Sequence, residues 1–172
     1  MVIIRKAKRE DAKAAWDIRN AAILNQCVGY YPIDDLEIWT SGELSQRFTD
    51  AVEKHFHVAT DNNQVIGTGM VNLETGKIDA MFVHPNYMAM GVGRTIIKYL
   101  ENLARGEGLN QLCLEATLNA ARFYRACGFE GDKVGKYESP TGVLLDCIPM
   151  VKVLAPNIAF ERDAPKAARP ST

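Results

Sequence analysis

The sequence predicts a single domain of the mixed α/β (α+β) class. Its 172 residues suit one domain, and 47% apolar with 24% charged residues is close to the average soluble protein. The hydrophobic period alternates along the chain between that of helices and that of strands, which predicts a mostly antiparallel sheet of about seven strands with about four helices. Residues 78–116 fit strand, helix and strand, a connection that joins parallel neighbours. We therefore expect one domain over residues 1–154 and a loosely ordered tail over 155–172.

The charge balance and the cysteine pattern argue against several classes of protein. Twenty Lys and Arg residues nearly balance 21 Asp and Glu residues, so the basic surplus of nucleic-acid-binding proteins is absent. No run approaches the roughly 20 apolar residues that span a bilayer, and residues 1–13 lack the features of a signal peptide. The four cysteines form no Cys-x-x-Cys pair, which indicates reduced thiols. We expect a cytoplasmic protein with no metal, no nucleic-acid partner and no membrane partner.

The first half of the chain predicts a strand, two helices and a meander. Residues 2–7 form an apolar strand, and Asp11 caps a helix with apolar residues at helical spacing. Residues 25–39 break that pattern with a glycine, a proline and close aromatics, so we expect an irregular connection. Thr40 and Glu43 fit a capping box before a second amphipathic helix. Three strands with short turns between them then predict an antiparallel meander, over residues 55–60, 65–73 and 78–83.

The second half predicts a helix, a strand, a short helix and a hairpin. Apolar residues recur at helical spacing from Val92 to Ala104, and glycines stop the run. Residues 111–116 form a short apolar strand. A short helix over 119–127 ends at Gly128. Turn residues separate the two strands of a closing hairpin, over 133–138 and 142–154.

A glycine-containing loop joins the strand over 78–83 to the helix that follows it. Glycines let a ligand approach the backbone, and the first turn of a helix offers free N–H groups at the positive end of its dipole. The alternative is structural, with Gly91 making a tight loop and Gly93 packing near a strand. The loop has neither the Gly-Lys-Ser/Thr ending of a Walker loop nor the third glycine of the dinucleotide fingerprint.

A second motif follows at a fixed separation. Residues 123–129 read Phe-Tyr-Arg-Ala-Cys-Gly-Phe, directly after the strand over 112–116. The order of strand, Val-x-Pro loop, Gly-x-Gly helix, strand and this last helix resembles the GNAT superfamily of acyl-CoA N-acyltransferases, over essentially residues 2–154. The resemblance implies acetyl transfer from acetyl-CoA to a primary amine, by direct attack in a ternary complex and without a metal.

The resemblance assigns the glycine-containing loop to the pyrophosphate of acetyl-CoA. The superfamily pattern Gln/Arg-x-x-Gly-x-Gly/Ala falls on residues 88–93, and a methionine at the first position departs from it. We expect weaker contact there but retained function, because backbone amides hold the pyrophosphate. The residues that would bind this group are Met88, Ala89, Met90, Gly91, Val92, Gly93 and Arg94.

The resemblance also implies roles on the strand and on the last helix. Met81, Phe82 and Val83 would lie along the pantetheine, with a main-chain N–H near Phe82 or Val83 polarising the acetyl carbonyl. Tyr124 matches the tyrosine that protonates the departing thiolate, and a phenol of pKa about 10 carries its proton at neutral pH. The alternative for this ring is packing alone. Asn119 matches a pantetheine contact, or it is the N-cap of the helix.

The general base stays open between candidates. The acceptor must lose a proton, because an ammonium group has no lone pair. Asp79 on one strand and Glu115 on its parallel partner could each act through a water, and His84 ranks third. The alternative for either carboxylate is an exposed strand position or a structural salt bridge.

The acceptor site and the alternative functions also stay open. Tyr30, Tyr31 and Trp39 lie in the connection that often covers the acceptor in this superfamily, and they either bind substrate or plug the core. The acceptor would be a small-molecule amine or a peptide amine. The alternative functions are a non-catalytic CoA-binding or sensing module, and a protein lysine or N-terminal acetyltransferase. The strand over 142–154 is a candidate homodimer interface.

Overall fold

The computed structural model describes residues 1–156, so the predicted tail lies almost wholly outside the described residues. Within them the chain forms seven strands and five α-helices. The strands are β1 (Ile3–Lys6), β2 (His57–Asp61), β3 (Gln64–Val71), β4 (Ile78–Val83), β5 (Gln111–Thr117), β6 (Gly135–Glu138) and β7 (Leu144–Val153). The helices are α1 (Ala12–Gln26), α2 (Ile33–Trp39), α3 (Gln46–His55), α4 (Val92–Gly106) and α5 (Ala121–Ala126).

The strands form two sheets that meet at β4 and β5. The first sheet has the order β1-β2-β3-β4 and the second the order β5-β7-β6, each antiparallel throughout. A parallel bridge joins Lys77 to Cys113, where the Cys113 N–H donates to the carbonyl of Gly76 at 3.0 Å. Within residues 1–156 no strand ladder continues this bridge, so a cleft opens between 79–83 and 114–117. The predicted mixed sheet is thus confirmed, with its parallel pair reduced to one bridge.

The close packing of α4 on β3 holds the first sheet in place. Gly69 of β3 has no side chain, and a Cβ there would lie 2.6 Å from Ile96 Cγ2 of α4. Ile96 and Leu100 are fully buried against it, and burial of each such side chain stabilises the fold by about 1.5–3 kcal/mol. A second cluster joins α1 and α3 to Met70 of the same strand. The strand is therefore covered by α4 on one side and by α1 and α3 on the other.

The irregular connection expected over 25–39 contains a helix, α2. Pro32 occupies its N-cap position, and Asp34 and Asp35 lie in its first turn, where negative charge favours a helix. The prediction failed because seven residues are too few to show a clear helical period. Leu36 and Trp39, which α2 buries, are nevertheless spaced for one face of a helix.

The predicted capping box at Thr40 and Glu43 is wrong. The helix α3 begins later, with Ser45 as its N-cap, and the Ser45 hydroxyl accepts from the Phe48 N–H at 3.1 Å. The Thr40 hydroxyl instead donates to the carbonyl of Leu36 at 2.8 Å, at the end of α2. Thr40 and Ser45, five residues apart, both have hydroxyls that can cap a helix, and Ser45 is the one that caps α3.

The predicted cap at Asp11 serves a short turn before α1. Its carboxylate accepts from the Lys8 N–H at 2.7 Å and forms two bonds of 2.7 and 2.9 Å with the Arg5 guanidinium. The Arg5 hydrogen bonds hold the pKa of Asp11 below its usual value. This pair ties β1 to the start of α1. No helix in the described part of the chain is long and apolar enough to cross a membrane.

Candidate active site

A cavity of about 1000 Å³ occupies the cleft between β4 and β5. Of the residues predicted for the site, Tyr30 and Met90 do not line it, and both are largely exposed. The cavity brings the others together from five helices and strands, the loop before α4 and the connections that hold Tyr31 and Asn119. They are Tyr31, Trp39, Asp79, Met81, Phe82, Val83, Met88, Ala89, Gly91, Val92, Gly93, Arg94, Glu115, Asn119 and Tyr124.

The edge of β4 presents alternate backbone groups to this cleft. Phe82 pairs with a residue of β3, and the His84 N–H donates to the carbonyl of Ile66 at 2.8 Å. Alternate residues of an antiparallel strand bond to the same neighbour, so the Phe82 N–H also points to β3. The N–H groups of Met81 and Val83 therefore face β5, where the ladder is missing.

The loop before α4 has the backbone geometry of an anion-binding nest. Ala89 and Gly91 both have left-handed φ angles, +59° and +83°. Left-handed residues turn successive N–H groups to one side, and α4 begins directly after this loop. For alanine that conformation costs about 1–2 kcal/mol, a strain typical of ligand-binding segments. A Cβ on Gly91 would meet nothing within 4 Å, so its backbone angle explains the glycine.

Gly93, by contrast, has a packing role. A Cβ at this position would lie 3.0 Å from the Phe123 ring, so the missing side chain lets α4 approach α5. The Arg94 side chain follows on the exposed side and donates to the carbonyl of Ala126 at 3.4 Å. The two glycines of the motif thus serve different purposes, one conformational and one steric.

Tyr124 points its ring into the cavity from α5. The residue is 8% exposed, and its ring packs edge-on against Phe123 and Phe129 with centroid distances of 5.2 and 5.7 Å. No hydrogen bond within residues 1–156 involves its hydroxyl. Burial raises the pKa of Tyr124 above its ordinary value, so the hydroxyl carries its proton at neutral pH. The ring therefore packs in the core and also has a free proton to donate.

The two carboxylates predicted as bases lie beside one lysine. The Lys77 ammonium is 3.7 Å from Asp79 Oδ1 and 3.6 Å from Glu115 Oε2. All three side chains are about one-third exposed or more, and such pairs contribute about 0–1 kcal/mol. The pairs are therefore weak enough to rearrange when a ligand enters. Sequence reasoning missed Lys77, although its spacing of two from Asp79 puts both on one strand face.

The other base candidate and Asn119 have contacts of their own. His84 Nδ1 accepts from the Asn86 N–H at 3.1 Å and so caps the turn after β4. Asn119 is not the N-cap of α5, a position that Ala120 occupies. Its Oδ1 accepts from the Cys27 thiol at 3.4 Å. Each of these two side chains is thus partly engaged in holding a loop.

The three aromatics predicted for the acceptor differ in their environments. Tyr30 is exposed and away from the cavity. The Tyr31 hydroxyl donates to the carbonyl of Asp146 at 2.6 Å and accepts from the Leu118 N–H at 2.9 Å, so it ties three segments together. Trp39 is buried, and its indole N–H has no partner within the described chain. Of the two that line the cavity, only Trp39 has a polar group without a partner in the described chain.

A second cavity of about 650 Å³ adjoins the first. Arg19 of α1, Thr68 of β3 and Tyr137 of β6 line it, and sequence reasoning singled out none of them. Tyr137 also lines the first cavity, and its ring lies 6.2 Å from that of Trp39. Eight residues line both spaces and so mark where they join, namely Trp39, Arg47, Met70, Asp79, Ala80, Phe82, Tyr137 and Pro140.

This architecture defines an α/β protein with a ligand cleft at a split parallel pair of strands and an anion nest beside it. Residues 53–131 match the family model described as the acetyltransferase (GNAT) domain. The crystal structure of a GCN5-related N-acetyltransferase from Rhodopseudomonas palustris is similar, with a TM-score of 0.81 and 27% identity over 88% of this chain and 95% of that chain.

Two further proteins are similar to this chain over most of its length. A Bacillus subtilis protein provisionally named an acetyltransferase is 25% identical over 155 residues, which is 88% of this chain and 93% of the relative. The structure of yncA from Salmonella typhimurium, provisionally named an acetyltransferase and solved with its cofactor acetyl-CoA, has a TM-score of 0.66 and 22% identity over 98% and 99% of the two chains. Residues 53–131 therefore carry a GNAT acetyltransferase domain, and the protein is an acyltransferase enzyme.

Proposed function

We propose that this enzyme transfers an acetyl group from acetyl-CoA to a primary amine, by direct attack within a ternary complex. The observation that carries the proposal is a pair of adjoining cavities with shared lining residues, which extend from the nest before α4, along the open edge of β4, to Arg19 and Thr68. Acetyl-CoA, when bound, supplies the acetyl group as a thioester. The two ends of the space give the donor and the acceptor separate entrances.

The residues of the cleft fit the donor. The left-handed backbone at Ala89 and Gly91 directs N–H groups toward an anion, as the pyrophosphate requires. The free N–H groups of Met81 and Val83 can pair with the amides of pantetheine as a neighbouring strand would. One of them would also stabilise the negative charge that develops on the acetyl oxygen.

Proton movement is assigned to Tyr124 and to the carboxylates beside Lys77. The amine nitrogen bonds to the acetyl carbon, the carbon–sulfur bond breaks, and the nitrogen loses one proton. Asp79 or Glu115 would accept that proton through a water. The hydroxyl of Tyr124, which burial keeps protonated, would give its proton to the departing sulfur. No cysteine is needed as a nucleophile, and three of the four are buried free thiols.

Thermal unfolding with acetyl-CoA, free CoA and ATP tests the donor site. A ligand at about one hundred times its dissociation constant adds roughly 2.7 kcal/mol of stability, which shifts Tm by a few degrees. We expect a shift with acetyl-CoA and CoA but none with ATP. The variant Met88→Gln, which supplies the usual superfamily residue, should shift further.

An amine screen for CoA release then tests turnover, with small amines and peptides in separate arms. Release with small amines supports the proposal, and release with peptides alone would favour a protein acetyltransferase. Thermal shift without release by any amine would favour a CoA-sensing module. The absence of any shift at millimolar ligand would overturn the donor site itself.

A further inference from the structure

The guanidinium of Arg19 is a largely buried positive charge without a negative partner. It donates to Asn20 Oδ1 at 2.7 Å and to the carbonyl of Trp39 at 3.3 Å, and it lies 5.1 Å from the centroid of the Trp16 ring. No carboxylate lies within 4 Å of it in residues 1–156. Burial lowers the pKa of Arg19, yet a guanidinium stays charged at neutral pH. Charges that are buried in proteins are ordinarily paired.

Arg19 lines the second cavity together with two residues that each have an unsatisfied polar group. The Thr68 hydroxyl and the Trp39 indole N–H are buried and have no hydrogen-bond partner. A buried polar group left unpaired costs about 1–3 kcal/mol, so these two groups and the charge of Arg19 leave the residues around this cavity short of polar partners. The remaining walls near them are largely apolar and aromatic, with Phe48 and Phe82 among them.

The negative charges of the cavity lie in a different place. Asp79 lies where the two cavities join and faces Lys77 at 3.7 Å. Glu138 of β6 also lines the second cavity, with an exposed side chain. Arg19 is therefore the cation that lines the second cavity alone, whereas Arg47 and Asp79 both lie at its junction with the donor cleft. A zwitterion matches that distribution of charge.

We propose that the second cavity binds the carboxylate of the acceptor through Arg19, so that the acceptor is an amino acid with an apolar or aromatic body. This inference rests on the proposed acetyl transfer. A planar guanidinium suits a carboxylate because it can form two parallel hydrogen bonds. With the carboxylate at Arg19, the amine lies toward Asp79 and the open edge of β4.

Direct binding can be measured without turnover. Trp16 and Trp39 are the only tryptophans of the chain, and both line the second cavity. Their fluorescence, excited at a wavelength where phenylalanine does not absorb, should change when a ligand enters. We would titrate two matched pairs, L-phenylalanine against phenethylamine, and 4-(aminomethyl)benzoate against benzylamine. At least one acid should bind about tenfold or more tightly than its partner without the carboxylate, and equal or weaker binding of both acids would overturn the inference.

The variant Arg19→Gln tests the residue, with Arg9→Gln as a matched control. Arg9 is exposed and pairs with Asp50 at 2.8 Å and Glu53 at 2.9 Å, away from both cavities. We expect Arg19→Gln to lower kcat/KM for the preferred acid by about 10- to 100-fold, as loss of a charged hydrogen bond does. Phenethylamine and benzylamine should change by less than about twofold, and Arg9→Gln should alter neither class.

Further readouts separate this inference from a structural role and from the proposed function. Arg19→Lys should restore part of the affinity for the acid, and Arg19→Gln should unfold at an equal or higher Tm because it removes an unpaired buried charge. An equal loss for acids and plain amines would overturn the inference and show a structural role. CoA release from plain amines, with no preference for acids, would overturn it while leaving the proposed function intact. A third outcome is that wild type binds the acid, Arg19→Gln does not, and no amine causes CoA release. That outcome would support the carboxylate site and overturn the proposed function.

Discussion

The proposed donor half and the proposed acceptor half of the candidate site are built from different parts of the chain. The donor half consists of the loop over 88–91, the start of α4, the edge of β4 and α5, which follow each other closely in sequence. The acceptor half is the second cavity, to which α1, α2, α3, β3, β4 and the region around β6 contribute. The first presents mainly backbone N–H groups and the second mainly side chains. A site made of backbone requires particular φ angles and glycines, whereas a site made of side chains requires only that distant positions converge.

The largest expected effect comes from Tyr124, the side chain proposed as the general acid in the donor half. Tyr124→Phe removes only the hydroxyl, so it should lower kcat by about 10²- to 10⁴-fold, the usual contribution of a general acid. Binding of acetyl-CoA, measured by calorimetry, should stay within about twofold. Tyr99→Phe is the control, since that half-buried ring packs on His57 and lines neither cavity. A small loss of kcat in Tyr124→Phe would show that the tyrosine serves only in packing. The donor half would then act through backbone groups alone.

A distant anchor should matter more to the acceptor half than to the donor half. Asp11 holds the start of α1, the helix that carries Arg19, through its bonds to Arg5. Asp11→Asn should cost about 1–3 kcal/mol at pH 7, because it leaves the guanidinium without its charged partner. Binding of acceptors, measured by fluorescence, should weaken more than binding of acetyl-CoA. Equal weakening of both would remove the distinction between the halves.

The pH dependence of that cost has a definite sign. The folded-state pKa of Asp11 lies below its ordinary value of about 3.9 because of the Arg5 hydrogen bonds. Its stabilising contribution is therefore complete above about pH 4 and is lost as pH falls through the lower folded value. Urea unfolding at pH 7 and at pH 3 should show the difference between wild type and Asp11→Asn shrinking in acid. A constant difference would assign the cost to packing.

The smallest expected effect is that of alanine substitutions at the two ends of α4. Gly91 precedes the helix and Gly108 follows it, with φ angles of +83° and +77° and no atom within 4 Å of an added Cβ at either. Alanine at either position should therefore cost about 1 kcal/mol of stability for the same reason. Only Gly91→Ala should also weaken acetyl-CoA binding, measured by calorimetry. Equal binding in both variants would show that the nest does not depend on its left-handed glycine.

The fold was largely predictable because most of its elements carry a strong hydrophobic period. The segment over 78–83 is β4 to the residue, and α4 shows its apolar positions over nearly its full length. The exceptions are local. The helix α2 is too short to show a period, and the choice between Thr40 and Ser45 as a cap depends on where that helix ends. Such boundaries are decided by tertiary packing, which a window of sequence does not contain.

The site was predictable to the extent that it is contiguous. The motif over 88–94 and the Phe-Tyr motif on α5 both line the cleft, since each places its residues by local geometry. Arg19 lies in the middle of an ordinary amphipathic helix, and nothing in its neighbours marks it. Arg19 is notable because no carboxylate lies near it in the described chain, and this is visible only once α1 and α2 are packed together in the fold. A sequence pattern identifies a residue and its spacing, but it does not show whether a charged side chain lacks a partner in the folded protein.

The single bridge at Lys77 and Cys113 has a consequence for how this chain avoids aggregation. Unpaired strand edges normally lie at the rim of a sheet, where another chain can pair with them and start a fibril. Here β4 and β5 each leave an edge unpaired, but the two edges face each other across the cleft. The protein thus keeps backbone groups available for an extended ligand while both edges stay turned inward, away from passing chains. A gap at the centre of the sheet provides backbone groups for a strand-like ligand without adding an unpaired strand at its outer edge.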